Sequence, residues 1–223
     1  MKKIFRFQVI MSFVACLSAS ALSCTEDAVD ENMAQIRADL VDVHVGEDKR
    51  VDYVLTDDDD SLRTKPTFTT SWIETGDTIY RAILYYKMKE GFVDGISMGQ
   101  VLVPSIKPAD RIKGGMKTDP VHLASLWRAR NGCYLNLRLR VMTGTIEGEK
   151  LEKQIFGCAV DTLMQHADGR STLSLRLYHD QGNQPEYYSK EIYLSIPLRG
   201  VKADTLLLQV NTYEGIKEKK IIV

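Results

Sequence analysis

Residues 133–141 and 171–179 place apolar and polar side chains in turn, and no other feature restricts the fold so sharply. In the first run Cys133, Leu135, Leu137, Leu139 and Val141 fall on one side, with Asn136, Arg138 and Arg140 on the other; only Tyr134 breaks the pattern. In the second, Leu173, Leu175 and Leu177 alternate with Thr172, Ser174 and Arg176. A period of two sorts side chains onto two faces only when the chain is extended, one face on a core and the other in water.

Further strand-like runs surround these two. Residues 40–45, 50–55, 77–86 and 99–104 are rich in β-branched and aromatic side chains or alternate. So are residues 151–160, 190–198, 204–213 and 219–223. Gly46, the run 57–61, Gly76-Asp77 and the loop 180–185 punctuate them. Residues 144–148 read as the turn of a hairpin between 133–141 and 151–160. Residues 122–130 read as no more than a short helical turn, and no stretch sustains a 3.6-residue period. Short strands at this spacing predict an all-β protein with a sandwich in its second half. The polar, Gly-rich stretch 107–115 and Asp119-Pro120 place a linker near residues 113–120.

The start of the chain speaks about location. Lys2, Lys3 and Arg6 precede an apolar stretch from Phe7 to Leu17, and small residues follow. That order is a secretory signal over residues 1–23, too short to span a bilayer. It ends in Ala21-Leu22-Ser23-Cys24, which resembles a lipobox and implies acylation of Cys24. Glu26, Asp27, Asp30 and Glu31 follow, and residues 24–38 read as an acidic, flexible tether. This tract resembles those that send Bacteroidetes lipoproteins to the outer face of the outer membrane, so a lipid-anchored, surface-displayed protein is expected.

Removing Lys2, Lys3 and Arg6 with the leader takes the formal charge from −1 to −4. An acidic chain whose one basic cluster is Lys217, Lys219 and Lys220 argues against nucleic acid as a partner. Of the four Cys, Cys16 leaves with the leader and Cys24 is the anchor. Cys133 and Cys158 remain, either bridged across the expected hairpin or left as two buried thiols.

Catalytic chemistry is hard to assemble. His44, His122, His166 and His179 have no metal-ligand spacing, and there is no nucleophile elbow or phosphate loop. His179, beside Asp180, reads as a strand-end histidine bonded to its own loop rather than as a base. Asp57 to Asp60 lack the glycine turn of a calcium loop and read as a solvated hairpin tip. The aromatics are more often core than platform in strands. Trp72, Tyr187 and Tyr188 are nevertheless the candidates to face a ligand, with Tyr187-Tyr188 nearest an exposed loop. No metal, cofactor or catalytic residue is expected, and the chain reads as a non-enzyme.

Several segments then carry a resemblance. They include Asp77-Thr78-Ile79-Tyr80-Arg81, Gly99-Gln100-Val101-Leu102-Val103 and Lys107-Pro108-Ala109-Asp110-Arg111-Ile112. The second half adds Tyr134-Leu135-Asn136-Leu137, Leu194-Ser195-Ile196-Pro197-Leu198 and Asn211-Thr212-Tyr213-Glu214-Gly215. In order and coverage they resemble the NigD-like lipoproteins of Bacteroidetes. The resemblance implies an OB-like β-barrel over residues 39–113 and a β-sandwich over 120–223. It also brings a bacteriocin-immunity role proposed within that family, with no binding residues attached. The expected function is a membrane-anchored binding module for a protein or peptide, with a glycan-binding accessory lipoprotein as the alternative.

Overall fold

The computed structural model describes residues 35–223, and Arg37–Val223 form one compact unit. The leader, Cys24 and most of the acidic segment lie outside the described residues. Within the unit, thirteen strands and one 3-10 turn, Ala109–Arg111, make an all-β protein, as the alternation predicts.

Five strands build the first half. They are β1 (Arg37–Val45), β2 (Val51–Thr56), β3 (Ser61–Arg63), β4 (Thr78–Lys89) and β5 (Phe92–Gln100). Their order is β3-β2-β1-β4-β5, every neighbour antiparallel. The two edges meet: Thr64 bridges Val93 in parallel and the Lys65 N–H donates to the Val93 carbonyl at 2.9 Å. The sheet thus curls into a partly open five-stranded barrel around Val41, Val43, Val54, Ala82, Leu84 and Tyr86.

Eight strands build the second half. One sheet runs β13-β12-β10-β9-β6, from β6 (Ile106–Pro108), β9 (Ile155–Gln165), β10 (Ser171–Asp180), β12 (Thr205–Thr212) and β13 (Gly215–Ile222). The other holds β11 (Tyr188–Pro197), β8 (Tyr134–Thr143) and β7 (His122–Arg128). Leu135, Leu137 and Leu139 of β8 meet Leu175 and Leu177 of β10 and Leu206 and Leu208 of β12 in one apolar core between the sheets.

Three expectations are corrected. Residues 122–128 are a strand: a bulge between Leu123 and Ser125 shifts the alternation and hides it. Strand β5 spans Phe92–Gln100, not residues 99–104: Gly95 and Gly99 mask its propensity, and its pairing with β4 stops at Gln100. Gly95 is needed there, since a Cβ would lie 2.6 Å from the Phe68 ring. The 133–141 and 151–160 runs are no hairpin, for β8 and β9 belong to different sheets. Residues 101–121 run along the sandwich, with β6 parallel to β9 and Leu102, Thr118 and Val121 bridging Leu194, His179 and Thr212.

Candidate binding cleft

The outer faces of the two halves meet through a small set of side chains. Alternation along β4 sends Ala82, Leu84 and Tyr86 into the barrel, so Arg81, Ile83 and Tyr85 point out. Their partners on β1 are Asp42, Leu40 and Ala38. On the sandwich, register puts Trp127, Asn136 and Ser195 on one rung across β7, β8 and β11, and Ser125, Arg138 and Tyr193 on the next. The even positions of β8 read as water-facing in the sequence, yet Asn136 and its partner Ser195 are 0% exposed. The barrel covers them.

Arg81, 5% exposed, closes that junction. Its guanidinium donates to both Asp57 oxygens at 2.6 and 2.8 Å and to Asp42 Oδ1 at 3.2 Å. It also donates to Ser195 Oγ at 3.1 Å and Asn136 Oδ1 at 3.3 Å. Asn136 Nδ2 donates to Asp57 at 2.8 Å, and the guanidinium lies 4.1 Å from the Tyr134 ring centre. Asp57 is therefore no solvated hairpin tip: it is an acceptor locked between barrel and sandwich. Burial pushes its carboxyl above the ordinary carboxylate range, against the pull of Arg81. Main-chain bonds reinforce the seam: the Leu102 N–H donates to the Tyr193 carbonyl at 3.0 Å and the Asn131 N–H to the Asp57 carbonyl at 2.9 Å.

Beyond this junction the faces enclose a cleft of about 790 Å³. Tyr85 and Trp127, each 37% exposed, line it with Tyr193. Arg37, Arg128, Arg130 and Arg138 stand around them, with Asp39, Asp58 and Asp60. Arg130 pairs with Asp58 at 3.1 Å and Arg138 with Glu191 at 3.0 Å, both in exposed positions where an ion pair is worth little and exchanges readily. Burial and Glu191 raise the Tyr193 phenol to about 12, so it acts as a neutral hydrogen-bonding group. Aromatic faces ringed by exchangeable guanidinium and carboxylate groups suit noncovalent recognition.

The residues singled out in the sequence lie elsewhere. Trp72 packs on the barrel, edge-on to Tyr80 at 5.6 Å, its indole N–H donating to the Met98 carbonyl at 3.4 Å. Tyr187 and Tyr188 are 70% and 51% exposed at the start of β11, and neither lines the cleft. The structure does not bring Trp72 and this pair together in one pocket. Cys133 and Cys158 are free thiols: Cys133 precedes β8 while Cys158 is buried in the opposite sheet, which raises its thiol to about 12. His179 is a core residue, with Nδ1 2.9 Å from the Asp119 carbonyl, Nε2 3.0 Å from Gln154 Oε1 and its ring stacked on Phe156. Among the described residues no group of three His, Cys, Asp or Glu side chains is placed to hold a metal ion.

Comparison with known proteins adds a lineage. The family model for the NigD-like C-terminal beta sandwich domain matches residues 104–223. A NigD-like immunity protein from Bacteroides caccae superposes with a TM-score of 0.65 at 23% identity, covering 83% of this chain and 96% of that one. A candidate toxin-related protein from Parabacteroides distasonis gives 0.58 at 18% identity, covering 84% and 93%. A candidate lipoprotein from Bacteroides fragilis gives 0.60 at 11% identity, covering 84% and 96%. At such identities these likenesses show the fold. A search of the curated proteins returns no match.

Proposed function

Because the chain belongs to the NigD-like family, we propose that it is an exported, lipid-anchored, non-catalytic binding protein that seats a protein or peptide ligand in the cleft between barrel and sandwich. The observation that carries this reading is the lining itself. Trp127 and Tyr85 stand exposed, with Tyr193 half-buried beside them, among four arginines. Trp, Tyr and Arg are the side chains on which protein interfaces concentrate their energy. The leader over residues 1–23 and Cys24 after it support the lipid anchor, and the acidic tract that follows supports display on the outer membrane. The likeness to an immunity protein makes a toxin segment the first ligand to try.

Two measurements test this. Mass spectrometry of the cell-derived protein should find Cys24 as an acylated first residue; an intact Met1 or a bare Cys24 removes the anchor. A photo-crosslinking amino acid at Tyr85 should trap one partner in living cells, while the same group at Lys219 on β13 should not. Trp127→Ala should abolish the adduct. Equal trapping at both positions, or none at Tyr85, counts against the cleft.

A second reading rests on the exposure of Tyr187 and Tyr188, which offer stacking faces for a sugar. A glycan array probed with wild type and Tyr187→Ala separates the two: binding lost in the variant favours a glycan, and a blank array leaves the protein ligand.

A further inference from the structure

A second pocket lies on the outer face of the five-stranded sandwich sheet, at its β6 edge. It shares no lining residue with the cleft and encloses about 330 Å³. Register explains how it forms. In β6, Ile106 turns into the core, so Lys107 turns outward. On the neighbouring strands Gly157 of β9 stands opposite Tyr178 of β10, on the same outer face. A Cβ on Gly157 would lie 3.2 Å from Tyr178 Cβ, so the missing side chain lets the tyrosine lie over β9. The 3-10 turn and the two residues after it bring Arg111, Ile112 and Lys113 to the rim.

The lining is one-sided in charge. Lys107, Arg111 and Lys113 contribute three cations, and no carboxylate is among the lining residues. None of the three makes an ion pair among the described residues, whereas the acids nearby are engaged. Asp161 is held by Arg176 at 2.8 Å and Asp180 by Lys117 at 2.7 Å. Asp119 accepts from the Gln181 N–H at 2.7 Å, and Asp110 sits on the turn without lining the pocket. Beside the cations lie Ile112, Ile155 and Tyr178, an apolar and aromatic wall, while Phe156, next to Gly157 on β9, turns its ring into the core. In a chain whose expected mature form is net acidic, three cations left facing one small apolar recess are matched to an anion.

We infer that this pocket binds a phosphate group carried on an apolar or aromatic body. The phosphate meets Arg111 in bidentate geometry with Lys107 and Lys113 as point charges, and the body rests against Tyr178 and Ile155. The volume suits a small organic phosphate or the head of a phospholipid, which share this chemistry.

Calorimetry on the intact chain, purified in uncharged detergent, tests the inference. Phenyl phosphate and dihexanoyl phosphatidylglycerol are titrated against inorganic phosphate and phenol. At least one of the first two should bind more tightly than either fragment. Preference for phenyl phosphate identifies a soluble organic phosphate as the source, and preference for the lipid identifies a headgroup. Arg111→Ala should weaken binding at least about tenfold, the loss of its bidentate charge-assisted contact, and Lys107→Ala/Arg111→Ala/Lys113→Ala should abolish it. All three side chains are exposed, so the melting temperature should stay put and separate lost binding from lost fold. Silence from both organic phosphates, or binding indifferent to the triple substitution, overturns the assignment.

Discussion

Arg81→Met strips the guanidinium from the junction while leaving most of the side-chain volume. Asp57 and Asp42 then face each other and Asn136 without their cation. Removing one member of a buried ion pair costs about 3–5 kcal/mol. Both carboxylates keep some solvent contact, with side-chain exposures of 15% and 20%, which places the expected loss near the lower end, about 3 kcal/mol. For a unit of this size each kcal/mol moves the melting temperature by roughly 2–4 °C, so the variant should melt roughly 6–12 °C early. The deficit should depend on pH. Asp57 already holds its proton above the usual carboxylate range, and without Arg81 it holds it higher still. A folded state that binds the proton more readily than the unfolded chain loses stability as pH rises through that range. The gap between variant and wild type should therefore be widest near neutrality and narrow on acidification. Adding Asp57→Asn to Arg81→Met should recover part of the loss, because the stranded carboxylate is gone. Circular dichroism melts of the three proteins across pH settle it. A single variant melting within about 2 °C of wild type would refute this role for Arg81, as would a double variant less stable than the single.

Other outcomes follow from the same geometry. Burial holds the His179 imidazole below its usual 6.5, so the unfolded chain takes up a proton first and stability is lost as pH falls through that value. His179→Gln should flatten the fall in melting temperature between about pH 7 and 5. Under native conditions a thiol reagent should modify Cys133 and spare Cys158 until the protein is unfolded, read by peptide mass spectrometry. Leu137→Ala, in the centre of the sandwich core, should cost about 2–5 kcal/mol in denaturant unfolding.

How far the residues reveal the structure depends on the range of the interaction. Alternation over 133–141 and 171–179 locates β8 and β10 to within a residue or two, because each side chain is sorted by its own strand. The same pattern says nothing of partners, which is why the expected hairpin joined strands of different sheets. Most of β5 is illegible locally because Gly95 answers to Phe68, a neighbour far along the chain. Asn136 looked like a solvent-facing position because its own strand carries no sign of the barrel that covers it. Arg81 and Ser195 are separated by 114 positions, and nothing local to either announces their bond. The cleft is legible only after both halves are assembled, and nearness to a loop, which favours Tyr187 and Tyr188, is a poorer guide.

Strand β1, where the compact unit begins, has consequences for mechanics. It is paired on both edges, with β4 along all of Arg37–Val45 and with β2 from Val41 onward. Its ladder bonds run across the strand, so a tug applied at Arg37 along the chain loads them side by side in shear instead of peeling them one at a time. Proteolysis or traction at the preceding residues should consequently leave the folded unit whole, its first strand gripped like a blade between two others.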